Sequence, residues 1–298
     1  MAIEHWALAQ YRTTDDALPR LGILRGETLH APPSGWPLST LALLEQWSAW
    51  TARLRDLDVG ALSPIEGASL LAPITYPRKL ICAGANYYAH AAEMNTARPD
   101  PTESPFFFLK PPTTTIVGPD ARIEVDDLPA AGLDWEVELA VVIADRCKNL
   151  TAADAPAHIA GYTIANDLSA RLLFPRENAV AAPFAFDWIK HKAFDGSCPL
   201  GPGIVPAWLV DDPHDLGIRL SVNGVTKQDS STADMVIGVY DLIAAVSRTI
   251  TLEPGDVILT GTPAGVGMPR HDFLHDGDVV AAGIHGLGRL ENTIVGVW

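Results

Sequence analysis

The sequence predicts a β-rich α+β fold, on three observations. After Pro73 the chain breaks into short strand-like runs at 79–83, 139–144, 158–165, 218–222, 256–260 and 278–284, each bounded by Gly, Pro, Asn or Asp. Regular alternation of strands with helix-length amphipathic segments is missing, which disfavours a doubly wound parallel sheet. Asn223-Gly224, set between two strand-like runs, is a strong two-residue hairpin signal.

Taken in order, residues 20–31 read as two short strands turning at Arg25-Gly26-Glu27, followed by a Pro/Gly-rich joint at 31–37. Leu43, Leu44, Trp47, Trp50, Leu54 and Leu57 recur at three- and four-residue steps, the apolar stripe of a core-packing amphipathic helix, with Ser39 or Thr40 as its cap. Residues 1–73 are therefore expected to form a small N-terminal α/β domain, and 74–298 the main domain. Further helices are expected at 88–94 and 241–248, and loops at 96–105 and 174–183.

At 298 residues, 48% hydrophobic and 19% charged, the chain is neither disordered, collagen-like nor a coiled coil. Its 21 Lys+Arg against 36 Asp+Glu give a formal charge of -15, which argues against nucleic acid and anionic membrane as partners. A small ligand is the expectation. An acidic one would be repelled unless cations at the site reverse the field locally. Cys82, Cys147 and Cys198 are widely spaced and odd in number, as reduced, buried thiols of a cytoplasmic protein are. No secretory signal is read at Met-Ala-Ile-Glu-His-Trp, and no apolar run approaches the ~18 residues of a membrane span.

Four segments carry candidate chemistry. In the run Asp134-Trp135-Glu136-Val137-Glu138, an extended chain puts the three carboxylates on one face. They could be a solvated outer face, but the strand continues into Leu-Ala-Val-Val-Ile, which suggests burial, and buried carboxylates need a metal or a positive partner. Two Glu at i and i+2 with one more carboxylate would suit Mg²⁺ or Mn²⁺. Asp167, where an apolar strand gives way to Asn-Asp-Leu-Ser, is a candidate third ligand, although Asn-Asp-x-Ser also caps turns. On a helix at 88–94, His90 and Glu93 share a side, so the carboxylate could fix the imidazole as a general base; a surface pair has the same spacing. The loop 261–267, Gly-Thr-Pro-Ala-Gly-Val-Gly, fits no nucleotide-binding pattern, but its hydroxyls and amides could hold a substrate carboxylate.

Together these segments resemble the fumarylacetoacetate hydrolase family. The likeness runs from about Tyr76 to the end. It rests on G-x-N-Y with H-x-x-E at 84–93, Phe-Leu-Lys-Pro at 108–111, E-x-E-L-A-V-V-I at 136–143 and G-Y-T-I-A-N-D at 161–167. In the same order follow Lys-Ala-Phe-Asp at 192–195, Pro-Leu-Gly-Pro at 199–202, Val-Asn-Gly at 222–224 with Gln228, Pro-Gly-Asp at 254–256, Thr-Gly-Thr-Pro at 260–263 and Gly-Leu-Gly at 286–288.

The resemblance implies a mixed β-sandwich roll, usually a homodimer, and an acylpyruvase-like member of bacterial type acting in aromatic catabolism. It implies Glu136, Glu138 and Asp167 as ligands of Mg²⁺ or Mn²⁺, with Ca²⁺ a third candidate, and His90 with Glu93 as an acid/base dyad on a closing lid. Lys192 would sit beside the metal, and Thr262 would contact the substrate carboxylate. Arg171 would hold the far end of the substrate; Gly261, Tyr87 and Gln228 complete the substrate-binding set. After Arg171 the sequence departs from the family pattern, with Leu172 where an acidic residue is common. The expected reaction is hydrolysis of a carbon–carbon bond in a small anionic 2,4-dioxo acid through a metal-stabilised enolate. Alternatives are decarboxylation, isomerisation or hydration of a 2-oxo acid such as oxaloacetate, and, in another class, a non-catalytic metabolite-binding protein.

Overall fold

All seven residues of the strand Val137–Ile143 are buried, and burial on both faces decides the architecture around it. The computed structural model describes residues 1–14, 16 and 18–297. Val137–Ile143 lies inside an eleven-stranded sheet whose main path runs Thr28–His30, Arg20–Arg25, Ala7–Thr13, Cys198–Pro206, Ile159–Asn166, Val137–Ile143, Val257–Leu259, Leu80–Gly84 and Phe106–Lys110. A five-stranded sheet of Val225–Ser231, Gly217–Val222, Val279–Ile284, Gly288–Val297 and Arg122–Asp126 makes a second layer.

Alternate residues of the central strand serve different cores. Val137, Leu139, Val141 and Ile143 join Leu220, Ala282, Leu290 and Ile294 of the second sheet in one cluster. Ala140 and Val142 join Leu43, Leu44, Trp47, Trp50 and Leu54 in the other. An uninterrupted apolar run is what a strand between two layers requires. The hairpin forms where expected: Asn223 and Gly224 both have positive φ, 50° and 77°, the backbone of the tight turn that matches strand twist.

The N-terminal stripe forms two helices, Thr40–Leu44 and Trp47–Arg55, where one was expected. Ser39 caps the first through Ala42 N. Leu43, Leu44, Trp47, Trp50 and Leu54 are buried in either arrangement, so periodicity does not see the break at Gln46, where φ is -125° and ψ 27°. Leu8 pairs with Ile204, so the boundary drawn at residue 73 falls between strands of one continuous sheet. The helix expected at 241–248 spans Val239–Thr249, and the three cysteines are buried and unpaired. Among the described residues no helix is long and apolar enough to cross a membrane.

Gly161 sits where the strand Ile159–Asn166 shifts register against Val137–Ile143, and on its other side it pairs with Pro206. A Cβ there would lie 2.2 Å from Val205 O and 2.8 Å from Ile204 Cγ2. Backbone cannot swing aside as a side chain does, so Gly161→Ala should destabilise by about 1–3 kcal/mol. A denaturant midpoint equal to wild type would show that the strands separate freely.

Candidate active site

The register Glu138↔Ala165 and Val137↔Asn166 brings the ends of two antiparallel strands together. Beyond the ladder, Glu136 N donates to Asn166 Oδ1 at 2.9 Å and Asp167 N to Glu136 O at 2.8 Å. Glu136, Glu138 and Asp167 are all buried, each with a carboxylate oxygen within 4.8 Å of the others'. The three expected ligands are thus gathered by sheet pairing alone.

Three cations face them. Lys192 Nζ lies 2.8 Å from Glu136 Oε2 and 2.7 Å from Asp167 Oδ2. Arg171 bridges Glu136 Oε1 at 2.5 Å and Asp134 Oδ2 at 2.9 Å. Lys110 Nζ donates to Ser197 O at 2.6 Å and Leu168 O at 3.2 Å, and approaches Asp167 Oδ1 to 2.5 Å. Lys110, in the Phe-Leu-Lys-Pro segment to which the sequence assigns no role, is 1% exposed. Its signal was a lysine closing an apolar strand just before two prolines, a position that buries a charge and so demands a partner. Asp134, also given no role, accepts from Trp135 N, Gly267 N and Met268 N, fastening the glycine-rich loop to the site.

Burial pushes Glu136 up, but Lys192 and Arg171 outweigh it and hold it well below the usual carboxylate range. Glu138 goes the other way: burial, then the charges of Asp167 and Glu136, raise it well above that range, and its Oε2 accepts from Gly261 N at 2.6 Å. The ion pairs explain the split. Asp134, Glu136 and Asp167 match Arg171, Lys192 and Lys110 one for one, which leaves Glu138 as the carboxylate without a counter-charge.

A divalent cation fits this set. Asp167 Oδ1 is buried and makes no hydrogen bond, its contact with Lys110 being a charge approach without hydrogen-bond alignment. Three hard oxygen donors from Glu136, Glu138 and Asp167 suit Mg²⁺ or Mn²⁺.

His90 lies on the short helix Tyr88–Glu93. Its Nδ1 is 2.9 Å from Glu93 Oε1, and Glu93 also accepts from Gly265 N at 3.0 and 2.9 Å. Burial raises the Glu93 pKa, but the hydrogen bonds from His90 and Gly265 more than offset it and keep the carboxyl ionised. Through Gly265 the helix is fastened to the loop whose Gly261 N donates to Glu138 Oε2, which ties it to the acidic cluster. Tyr87, 0% exposed, has a buried hydroxyl without a partner; burial and the charges of Glu138 and Asp234 raise its pKa.

Other expected contacts are already committed within the protein. Thr262 Oγ1 donates to Val137 O and accepts from Gln228 Nε2. Gln228 further donates to Pro263 O and accepts from Val137 N. Gln228 thereby staples the strand to the loop. Arg171, expected at the far end of the substrate, donates its Nε and Nη2 to Asp134 and Glu136. Gly261, at φ 95°, stands where a Cβ would meet Asn86 Cβ at 2.8 Å.

His191, 3% exposed, bonds through Nδ1 to Ala170 O at 3.1 Å and stacks on Phe174. Burial, then the charges of Lys192 and Arg171, lower its pKa to about 3. Unfolded, it takes a proton below about pH 6.5; folded, it does not until about 3. Stability is therefore lost as pH falls through that window, by about 2 kcal/mol at pH 5 for this residue alone. Urea unfolding at pH 7 and pH 5 should show a smaller acid loss in His191→Phe than in wild type, and equal losses would refute the assignment.

The family model described as fumarylacetoacetate (FAA) hydrolase C-terminal matches residues 79–295. The mitochondrial oxaloacetate tautomerase fahd2 of Xenopus laevis is 40% identical over 97% of this chain and 90% of its own length. Among solved structures, the fumarylacetoacetate hydrolase of Exiguobacterium antarcticum superposes with a TM-score of 0.80 at 34% identity, covering 98% of this chain and 100% of that one. The maleylpyruvate hydrolase of Sphingobium sp. SYK-6, in complex with manganese (II) ion and pyruvate, superposes with a TM-score of 0.75 at 27% identity, with coverages of 98% and 100%.

Proposed function

The chain belongs to the fumarylacetoacetate hydrolase family, and on that premise we propose that it is a divalent-metal-dependent enzyme that interconverts the keto and enol forms of an oxaloacetate-like 2-oxo acid. The observation that carries this is the His90–Glu93 dyad, locked to the Gly265 amide of the loop that bonds Glu138 through Gly261. Keto–enol exchange needs one group that takes a proton from carbon and returns it to oxygen, and a site that tolerates the charge in between.

Glu136, Glu138 and Asp167 would hold the ion. When bound, Mg²⁺ or Mn²⁺ supplies Lewis-acid polarisation of the oxo group. Glu93 accepts the Nδ1 proton of His90, which leaves the Nε2 lone pair as the base. Burial works against the charge of Lys192, but Asp167 and Glu136 raise its pKa, so it stays a cation where an enolate oxygen develops. The unpartnered Tyr87 hydroxyl is the neutral donor available to the substrate. The tautomerase relative at 40% identity supports the exchange reaction over the hydrolysis expected from the motifs.

A second reading is hydrolysis of a 2,4-dioxo acid, with His90 taking its proton from water; the manganese and pyruvate complex of the maleylpyruvate hydrolase favours it. Products decide between the two. Incubation of the Mn²⁺-loaded protein with oxaloacetate in D₂O should exchange the C3 protons without carbon loss. Two acids from an acylpyruvate would establish hydrolysis, and carbon dioxide release would establish decarboxylation.

A further inference from the structure

A second group of metal-ligating side chains lies at the opposite end of the two strands that build the acidic site. Asp145 follows Val137–Ile143, His158 precedes Ile159–Asn166, and Cys147 is two residues past Asp145. Each offers a ligand atom, and the three atoms lie within 4.8 Å of one another. Glu138 and Asp145 are separated by seven residues of extended chain, roughly 20 Å, so the cluster is no part of the active site.

The backbone fixes all three positions. Ala144 N donates to His158 O at 2.8 Å, and Cys147 exchanges two hydrogen bonds, each 3.0 Å, with Leu252. His158 Nδ1 and Asp145 Oδ1 approach to 2.5 Å, with side chains 26% and 56% exposed, whereas Cys147 is 6% exposed. A buried thiol thus lies beneath an imidazole and a carboxylate that solvent reaches, and an ion can enter without unfolding.

One sulfur, one nitrogen and one oxygen donor select a borderline-soft ion over the oxygen-seeking Mg²⁺ and Mn²⁺. Tetrahedral zinc takes sulfur at about 2.3 Å and nitrogen or oxygen at about 2.0–2.2 Å, which sets ligand atoms roughly 3.3–3.6 Å apart. The separations, none above 4.8 Å, leave at most about 1.5 Å for the thiol to close, and the Asp145–His158 pair has to open by under about 1 Å.

We propose that Asp145, Cys147 and His158 form a zinc site, with its fourth position open to water. Cys147 is also bridged to Leu252, in the segment that leads into Val257–Leu259. The ion clips the ends of the two adjacent strands Val137–Ile143 and Ile159–Asn166 away from the dyad, so its effect falls on stability and not on turnover.

The test uses the full chain stripped with a chelator and titrated with Zn²⁺, Co²⁺ and Mn²⁺ in turn. Co²⁺ should produce thiolate-to-metal charge-transfer absorption, and Zn²⁺ should raise Tm in a concentration-dependent way. Both responses should vanish in Cys147→Ser and weaken at least tenfold in His158→Ala, while Mn²⁺ affinity stays at the wild-type value. Glu138→Gln should keep the cobalt–thiolate absorption, which separates this site from the acidic one. A cobalt spectrum without thiolate absorption, or a zinc-dependent Tm rise that survives His158→Ala and Asp145→Asn, would overturn the proposal, the latter two variants serving if Cys147→Ser does not fold.

Discussion

His90→Ala should lower turnover of an enolisable 2-oxo acid by about 10²–10⁴-fold, the contribution of a positioned general base, and leave Mn²⁺ affinity unchanged. The separation of effects follows from where the dyad is anchored. Glu93 is held by Gly265 N, Ala89 N donates to Asp234 Oδ2, and Tyr87 bridges to Met235. None of those bonds uses the imidazole, so the helix keeps its place when the ring is removed. The ligand set Glu136, Glu138 and Asp167 sits on strand ends and is equally indifferent. The loss should fall on kcat, with KM little changed. Glu93→Gln should cost less and shift the pH–rate profile, because it removes the acceptor that fixes the His90 tautomer. Wild-type turnover in His90→Ala, measured with Mn²⁺ saturating, would remove His90 from the chemistry.

Local pattern made the strands and the hairpin legible, because each depends on residues a few positions apart; Asp167 as a ligand and His90 with Glu93 as a dyad were singled out only by the family resemblance. What escaped was fixed over long range. Lys110 acquires its meaning only when Phe106–Lys110, at the sheet's edge, delivers it to Asp167, 57 residues on. Arg171, Gln228 and Thr262 were assigned to the substrate through the family resemblance; the fold adds internal partners for them, Asp134 and Glu136 for Arg171 and Val137, Pro263 and each other for Gln228 and Thr262. Buried polar side chains pair with whatever backbone the fold presents, and sequence does not say which backbone that is. The break at Gln46 was invisible because it moves no buried residue to solvent.

Lys110→Met should destabilise the metal-free protein by about 3–5 kcal/mol, the range for breaking a buried pair by removing one partner. With Glu138 raised well above the usual carboxylate range, the other three carboxylates face three cations, and loss of Lys110 leaves Lys192 alone to serve both Glu136 and the 2% exposed Asp167. Methionine fills similar volume, so the loss reports charge rather than a cavity. A divalent ion restores what the lysine supplied. Binding adds two positive charges and draws the proton from Glu138, so Mn²⁺ should recover most of the lost stability in the variant. In wild type the same ion leaves the site one charge positive, which suits the carboxylate of a 2-oxo acid; in Lys110→Met it leaves the site neutral. The variant should therefore bind Mn²⁺ at least as well as wild type and a 2-oxo acid less well. Urea unfolding with and without Mn²⁺ tests the first half, and titration with pyruvate as the probe tests the second. Equal destabilisation in both metal states would show that Lys110 supports the fold through its bonds to Leu168 O and Ser197 O and not through the charge it brings.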